Sequence, residues 1–483
     1  MKIRPVLRFL GRLLLVLAVA ELLPLLCSLL YGEYQSAMAF LLSMLVTALT
    51  AGLLAFLGRG AGELYRREGV LIVVGGWVVA SALGALPYML SAAIPSPVDA
   101  LFESASGFTT TGATVLTDIA SQDRGILFWR SFTQWLGGMG IIVLFLALLP
   151  ELGPGARFLY KLEVPGPTAE ALSPRIRDTA AVLWRIYLVF TLAETLLLWL
   201  AGLSLYDALT HTFSTLSTGG FSPLNESVAG YWDRPWVVII IIVFMVAAGA
   251  NFSLYFGLTR GAGWSLLRDA ELRLYLLILA GASVLITWNI LASGASEDVP
   301  GTALHAAFQV ASITTTTGFA TADFEQWPHL SRMLLVVLMF VGGCAGSTSG
   351  SMKVMRMVIG LKSAMREVRY MFSPNTVVAV FVGGKAVPDP VVRSVAGFFI
   401  LFLSAWGLGS LLLTFDGHSP LTAATAAIAT LGNVGPGLER VGPVENFAFF
   451  SGWAKLLMVL LMWIGRLEVY AIAALFNLRF WRG

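Results

Sequence analysis

Four times along this chain, an apolar stretch about half as long as a membrane span runs into a turn rich in threonine and glycine, in the connections at 93–125, 203–234, 294–330 and 415–452. Aligned on one glycine each, the first two copies read Asp99-Ala100-Leu101-Phe102 to Thr110-Thr111-Gly112-Ala113 and Asp207-Ala208-Leu209-Thr210 to Thr218-Gly219-Gly220-Phe221. The third runs from His305-Ala306-Ala307-Phe308 to Thr316-Thr317-Gly318-Phe319, and the fourth from Thr422-Ala423-Ala424-Thr425 to Asn433-Val434-Gly435-Pro436. The glycines stand 108, 98 and 117 residues apart. Short segments recurring at equivalent places mark an internal repeat. Irregular backbone at membrane depth is tolerated only where it is buried in protein or lines an aqueous path, so the four turns are expected to converge on one axis.

The flanking runs are long enough to cross hydrocarbon. Spans are expected near 6–30, 37–57, 70–92, 126–149, 180–202, 235–258, 272–293, 331–352, 393–414 and 453–478. The expected fold class is an all-α integral membrane protein of four pseudo-symmetric span, half-helix, turn, span units behind two extra helices. The division reads 1–66 for the N-terminal helix pair, then repeats at 67–165, 166–265, 266–375 and 376–483. Residues are 57% hydrophobic and 12% charged, half the charge of a soluble chain, which excludes a cytosolic enzyme or a disordered chain. Two cysteines inside apolar stretches and four scattered histidines exclude a disulfide framework and a thiolate metal site. A net charge of +3 gives no footing for nucleic acid.

Lys2, Arg4, Arg8 and Arg12 precede the first apolar run, which continues past Ala18-Val19-Ala20 and so reads as an uncleaved anchor with its N-terminus in the cytoplasm. Alternating onward leaves only six of the 31 Lys and Arg outside: Arg124, Arg130, Arg234, Arg332, Arg440 and Lys455. The outer segments carry carboxylates, among them Asp99, Glu103, Asp118 and Glu439. They read either as a mouth that concentrates cations or as the other side of the same topological bias.

Glycine lets each turn take positive φ and aim consecutive carbonyls inward, while small Thr and Ser side chains pack behind. Such a ring replaces the water shell of a dehydrated monovalent cation. Each half-helix enters from outside with its partly negative C-terminal end toward the middle of the bilayer, which also favours a cation. The candidate ion-binding residues are Thr110, Thr111, Gly112, Thr218, Gly219, Gly220, Thr316, Thr317, Gly318, Asn433, Val434 and Gly435. The other reading is four re-entrant loops that plug the bundle.

These turns, the run Gly342-Gly343-Cys344-Ala345-Gly346-Ser347-Thr348-Ser349-Gly350-Ser351-Met352-Lys353, and Gly465-Arg466-Leu467-Glu468 in the last span resemble the Trk/Ktr/HKT superfamily of bacterial potassium transporters. The two leading spans make the chain similar to its TrkH branch. The resemblance implies a K+ channel-like fold, K+ as the transported ion, a homodimer with one pore per protomer, and a cytoplasmic nucleotide-binding regulator of the RCK type, called TrkA there. It maps the filter glycines onto Gly112, Gly220, Gly318 and Gly435; relatives that pass mainly sodium have serine at the first. Gly219 and Pro436 depart from the pattern of the other copies.

Four glycines between Gly342 and Gly350 each cost about 1 kcal/mol against alanine in a helix, so this span is expected to break into a loop beneath the filter. Small residues for close helix packing are the other reading. The gate candidates are Gly342, Gly343, Gly346, Ser347, Thr348, Ser349, Gly350 and Arg466. An arginine at bilayer depth is expected to point into the pore and bond the loop's carbonyls or Glu468. Lys353 to Arg393 reads as a helix followed by a hairpin at Gly383-Gly384; its Lys362, Arg366, Arg369 and Lys385 suit anionic lipid, and the resemblance suggests regulator docking. Trp129, Trp232, Trp236 and Trp327 read as interfacial anchors. Glu194, inside an apolar span, is either functional or else paired or protonated in the bundle.

There is no P-loop and no spacing of nucleophile and base, so an enzyme is not expected. The alternative function is an ion-coupled secondary transporter, driven by Na+ or H+, of another small solute. Such proteins share broken helices but usually have twofold repeats with half-helix N-termini aimed at an anion. The expected location is the bacterial inner membrane.

Overall fold

The computed structural model describes residues 2–60, 65–140, 176–259, 268–373 and 378–481. Six helices among these are long and apolar enough to cross a membrane: Ile3–Leu30, Tyr34–Leu57, Arg67–Leu90, Asp178–Leu200, Ala270–Ala292 and Asp389–Asp416. Their outer faces carry exposed leucines and isoleucines, such as Leu49, Leu192, Leu277 and Ile400, which are 66–71% exposed. Hydrocarbon is the solvent such faces suit. The chain is a multi-pass membrane protein.

Of the ten spans expected from the sequence, six are continuous helices among the described residues; the other four helices end early, and of these only the break in the third unit was expected. The second span of each unit stops after 13–15 residues: Arg124–Gly138, Pro235–Ala248, His329–Val341 and Gly452–Arg466. After Ala248 the chain turns at Gly249, Ala250 and Asn251 before Phe252–Thr259. After Arg466 it turns through Glu468 and Val469, both at positive φ, into Tyr470–Leu475. Residues 141–149 of the expected fourth span lie outside the described residues. Close approach to the half-helices accounts for glycine at these ends. A methyl group on Gly137 would lie 1.8 Å from the Phe108 carbonyl oxygen, and one on Gly465 would lie 1.9 Å from that of Leu431.

The four half-helices are Pro97–Phe108, Leu205–Leu216, Val299–Thr314 and Pro420–Leu431. Ser96, Ser204 and Ser419 cap three of them by accepting the N–H three residues on. The third follows Asp298 and has proline in its first turn. In all four, nearly every residue toward the C-terminal end is buried, serines and threonines included.

The third unit ends in the expected helix, Val354–Phe372, and the expected hairpin opens the fourth. Strands Val380–Val382 and Lys385–Val387 pair antiparallel, and Gly383 and Gly384 both take the positive φ that a two-residue hairpin turn needs. Lys362 donates to the Phe381 carbonyl at 2.6 Å and Arg366 to Asp389 at 2.9 Å, so two of the basic residues read as a docking surface hold the hairpin and the next span in place.

Candidate ion filter and gate

Each half-helix closes with the same pair of hydrogen bonds. Thr111, Gly219, Thr317 and Val434 donate to the carbonyls of Ser106, Ser214, Ser312 and Ala429 at 2.8–2.9 Å, and the residue before each donates three back, to Gly107, Thr215, Ile313 and Thr430. This is the Schellman closure, which places its first residue past the helix in the left-handed region, where glycine is usual. Here those residues are Thr110, Thr218, Thr316 and Asn433, with φ between 52° and 59°. A β-branched residue there is an outlier that costs about 1–3 kcal/mol and persists only where its surroundings hold it. Two residues later Gly112, Gly220, Gly318 and Gly435 are again left-handed.

The four turns form a closed ring. A methyl group on Gly112 would lie 2.1 Å from the carbonyl oxygen of Gly219, one on Gly220 2.0 Å from that of Thr317, one on Gly318 2.2 Å from that of Val434, and one on Gly435 2.8 Å from that of Thr111. Each turn thus presses on the next in sequence order and the fourth on the first. All four glycines line one cavity of about 120 Å³, closed further by Arg130, Asn225 and Asn446. Hydroxyls lock the turns from behind: Thr109 with Thr111 and Thr315 with Thr317, both at 2.8 Å, while Asn433 Nδ2 donates to Thr111 Oγ1 at 2.9 Å.

The loop from Gly342 to Lys353 lies directly beneath. Gly342 leaves the helix at φ +74. Thr348 Oγ1 donates to the Leu216 carbonyl at 3.0 Å, at the second turn, and Gly350 N to Thr316 Oγ1 at 2.7 Å, at the third. A methyl on Gly350 would come within 2.3 Å of the Gly432 carbonyl, at the fourth. Gly343 and Gly346 sit against Ser349 and Asn251, and Ser347 Oγ donates to the Cys344 carbonyl at 2.7 Å. Arg466 completes the set. Its guanidinium donates to Thr348 O at 3.0 Å, to Gly138 O at 2.7 Å, to Gly137 O, and to Thr110 Oγ1 of the first turn at 3.4 Å. The expected bond to a loop carbonyl is present; Glu468 pairs instead with Arg356.

Several residues were misassigned or missed from the sequence. Glu103, placed in the acidic mouth, is fully buried and pairs with Arg130 at 2.8 Å. It also accepts from Thr114 and from the Val115 N–H at 2.9 Å each, while Arg130 reaches Ser222 O at 3.2 Å and covers the Phe221 ring. The pair therefore joins the first two turns. Two opposite charges at membrane depth in adjacent elements were the available signal. Asp99 likewise pairs with Lys455 at 2.6 Å. Trp129 is not an interfacial anchor: it is buried, donating to Gly84 O at 3.0 Å. Lys353, counted as cytoplasmic, is buried at φ +72 and donates to Ser349 O within the loop. Glu271 was not singled out, yet its Oε1 accepts from Ala345 N at 2.7 Å and Met355 N at 3.0 Å, clasping both ends of the loop. Glu194 is fully buried on the helix that packs on the second half-helix.

In the long connections, the Asn225 amide beside Asp118 and the hydroxyls of Ser419 and Thr422 beside Glu439 hold both carboxyls below the usual range. Both keep their negative charge into acid solution.

Residues 36–480 match the profile of the TrkH family, described as cation transport protein. The chain is 41% identical to the Trk system potassium uptake protein TrkH of Halomonas elongata and 38% identical to that of Escherichia coli K12, in each case over 100% of both chains. It superposes on the crystal structure of the potassium transporter TrkH from Vibrio parahaemolyticus with a TM-score of 0.89 and 36% identity, each chain covered in full.

Proposed function

The chain belongs to the TrkH family of cation transport proteins, and we propose that it takes up potassium by exchanging the ion's water for oxygens of the four turns Thr110-Thr111-Gly112, Thr218-Gly219-Gly220, Thr316-Thr317-Gly318 and Asn433-Val434-Gly435. Its full-length relatives are potassium uptake proteins by name, and potassium uptake is its function. The observation that carries the filter reading is the closure of the ring, in which each glycine faces a carbonyl oxygen of the following turn with no room for a side chain. The aligned C-terminal ends of four half-helices add a negative field at the same place. A weakly hydrated monovalent cation suits such a ring.

Transport is gated by the loop 342–353 with Arg466. The loop fills the space under three of the four turns, and the arginine joins it to the first. The basic cytoplasmic helix and hairpin serve a nucleotide-binding regulator of the TrkA type, and the protein works as a homodimer in the inner membrane with its N-terminus in the cytoplasm. Support for these comes from the basic bias of one side and from the name Trk system that the relatives carry.

The test is rubidium uptake into liposomes holding the purified protein, competed by potassium or by sodium. Potassium should compete far better than sodium, and Gly112→Ser should narrow the difference, because any side chain there meets the Gly219 oxygen. Equal competition by the two ions, or unchanged discrimination in Gly112→Ser at normal expression, overturns the filter assignment. Rubidium uptake that requires a cotransported organic solute would favour a coupled secondary transporter.

A further inference from the structure

Three turns carry a side chain just before the filter glycine, namely Thr111, Thr317 and Val434, but the second has Gly219. Its backbone does not ask for glycine, since its φ lies outside the left-handed region. What excludes a side chain is Gln134, from the second span of the first unit: a methyl on Gly219 would lie 2.5, 2.7 and 2.8 Å from its Cδ, Oε1 and Nε2. The amide spans the turn, with Nε2 donating to Gly219 O at 2.6 Å and Oε1 accepting from Phe221 N at 3.0 Å. Gln134 is fully buried, where an amide is costly unless both ends are bonded, and both are. The oxygen it holds is the one that faces Gly112 across the ring.

From this fit we infer that Gln134 determines the ion discrimination of the filter, standing in for the missing side chain of the second turn and fixing the direction of the Gly219 carbonyl. The inference rests on the filter reading above and adds a positioning residue to it. In the first and third turns a hydroxyl pair within one unit serves as a lock, joined in the first by Asn433. In the second it comes from the neighbouring unit, so the first and second quarters of the ring are set together.

Four variants test this by rubidium uptake under sodium and potassium competition: Gln134→Glu, Gly219→Ala, the double variant Gly219→Ala with Gln134→Ala, and Gly112→Ser as a control on the filter itself. Gln134→Glu keeps the volume but turns an acceptor toward the carbonyl. Discrimination should fall about threefold to tenfold, within the range that loss of one neutral hydrogen bond gives, with expression and dispersity unchanged. Gly219→Ala alone should lose uptake, and the double variant should regain uptake but not discrimination, since the methyl then enters vacated space while no amide holds the Gly219 carbonyl. Parent-like discrimination in Gln134→Glu or in the double variant, or tolerance of Gly219→Ala with Gln134 in place, would each overturn the inference. If Gln134→Glu fails to fold, the double variant decides. If Gly112→Ser also discriminates like the parent, it is the filter reading that falls.

Discussion

Truncating Arg466 to alanine should open the pathway by an amount that follows from its contacts. Among the described residues, the oxygens it bonds at Gly137, Gly138 and Thr110 belong to the first unit, and Thr348 O, at 3.0 Å, belongs to the loop. The variant therefore removes one hydrogen bond to a charged donor from the closed loop, a contribution of about 1.5–3 kcal/mol. At about 1.4 kcal/mol per tenfold, the ratio of open to closed loop rises by about 10- to 100-fold. Losing the positive charge under the filter acts in the same direction, because a cation leaving the ring no longer meets it. The assay is tracer rubidium uptake into liposomes without regulator, normalised to protein incorporated. Arg466→Lys, which keeps the charge with a compact donor, should fall between the parent and the alanine variant. Basal uptake within twofold of the parent in Arg466→Ala, with discrimination intact, would refute the view that this bond holds the loop shut.

Glu271→Ala should also raise basal uptake, since one carboxylate oxygen holds Ala345 N and Met355 N at the two ends of the loop; uptake that stays at the parent level would show that the clasp is not limiting. Arg130→Leu leaves Glu103 buried without its partner, so the detergent-solubilised protein should lose about 3–5 kcal/mol of stability, seen as a large drop in melting temperature; a drop of a degree or less would contradict the pairing. Single cysteines at Ser121 and Ser373 should react with an impermeant thiol reagent from opposite faces of the membrane, and labelling from one face would overturn the topology. Arg369→Gln with Lys385→Gln should weaken regulator binding in a salt-dependent way, because these two are exposed, whereas Lys362 and Arg366 are engaged within the domain; unchanged affinity at low salt would move the docking surface elsewhere.

The sequence by itself determined that the chain lives in a membrane, that four equivalent half-helices end in Thr/Gly turns, and that the span after Ser331 must break. Each of these follows from local rules: apolar length against bilayer thickness, the repeat of one pattern in one register, and the cost of four glycines in a helix. The helix and hairpin after Lys353 were legible for the same reason, a two-glycine turn between short apolar runs. What the tertiary structure decided was everything that depends on which element lies next to which. Thr110, Thr218 and Thr316 hold left-handed backbone against their own preference because the ring and the loop beneath constrain them, and no propensity read along the chain would place a threonine there. Glu103 and Arg130 look like surface charges in sequence and are a buried pair only because the first half-helix packs on the span that follows it. Gly219 looks like a lapse in the repeat and is required by a glutamine 85 residues away. Arg466 could be predicted to face inward, since lipid excludes it, but its choice of Thr348 over Glu468 was settled by where three other backbones come to rest, which is long-range packing that residue types do not record.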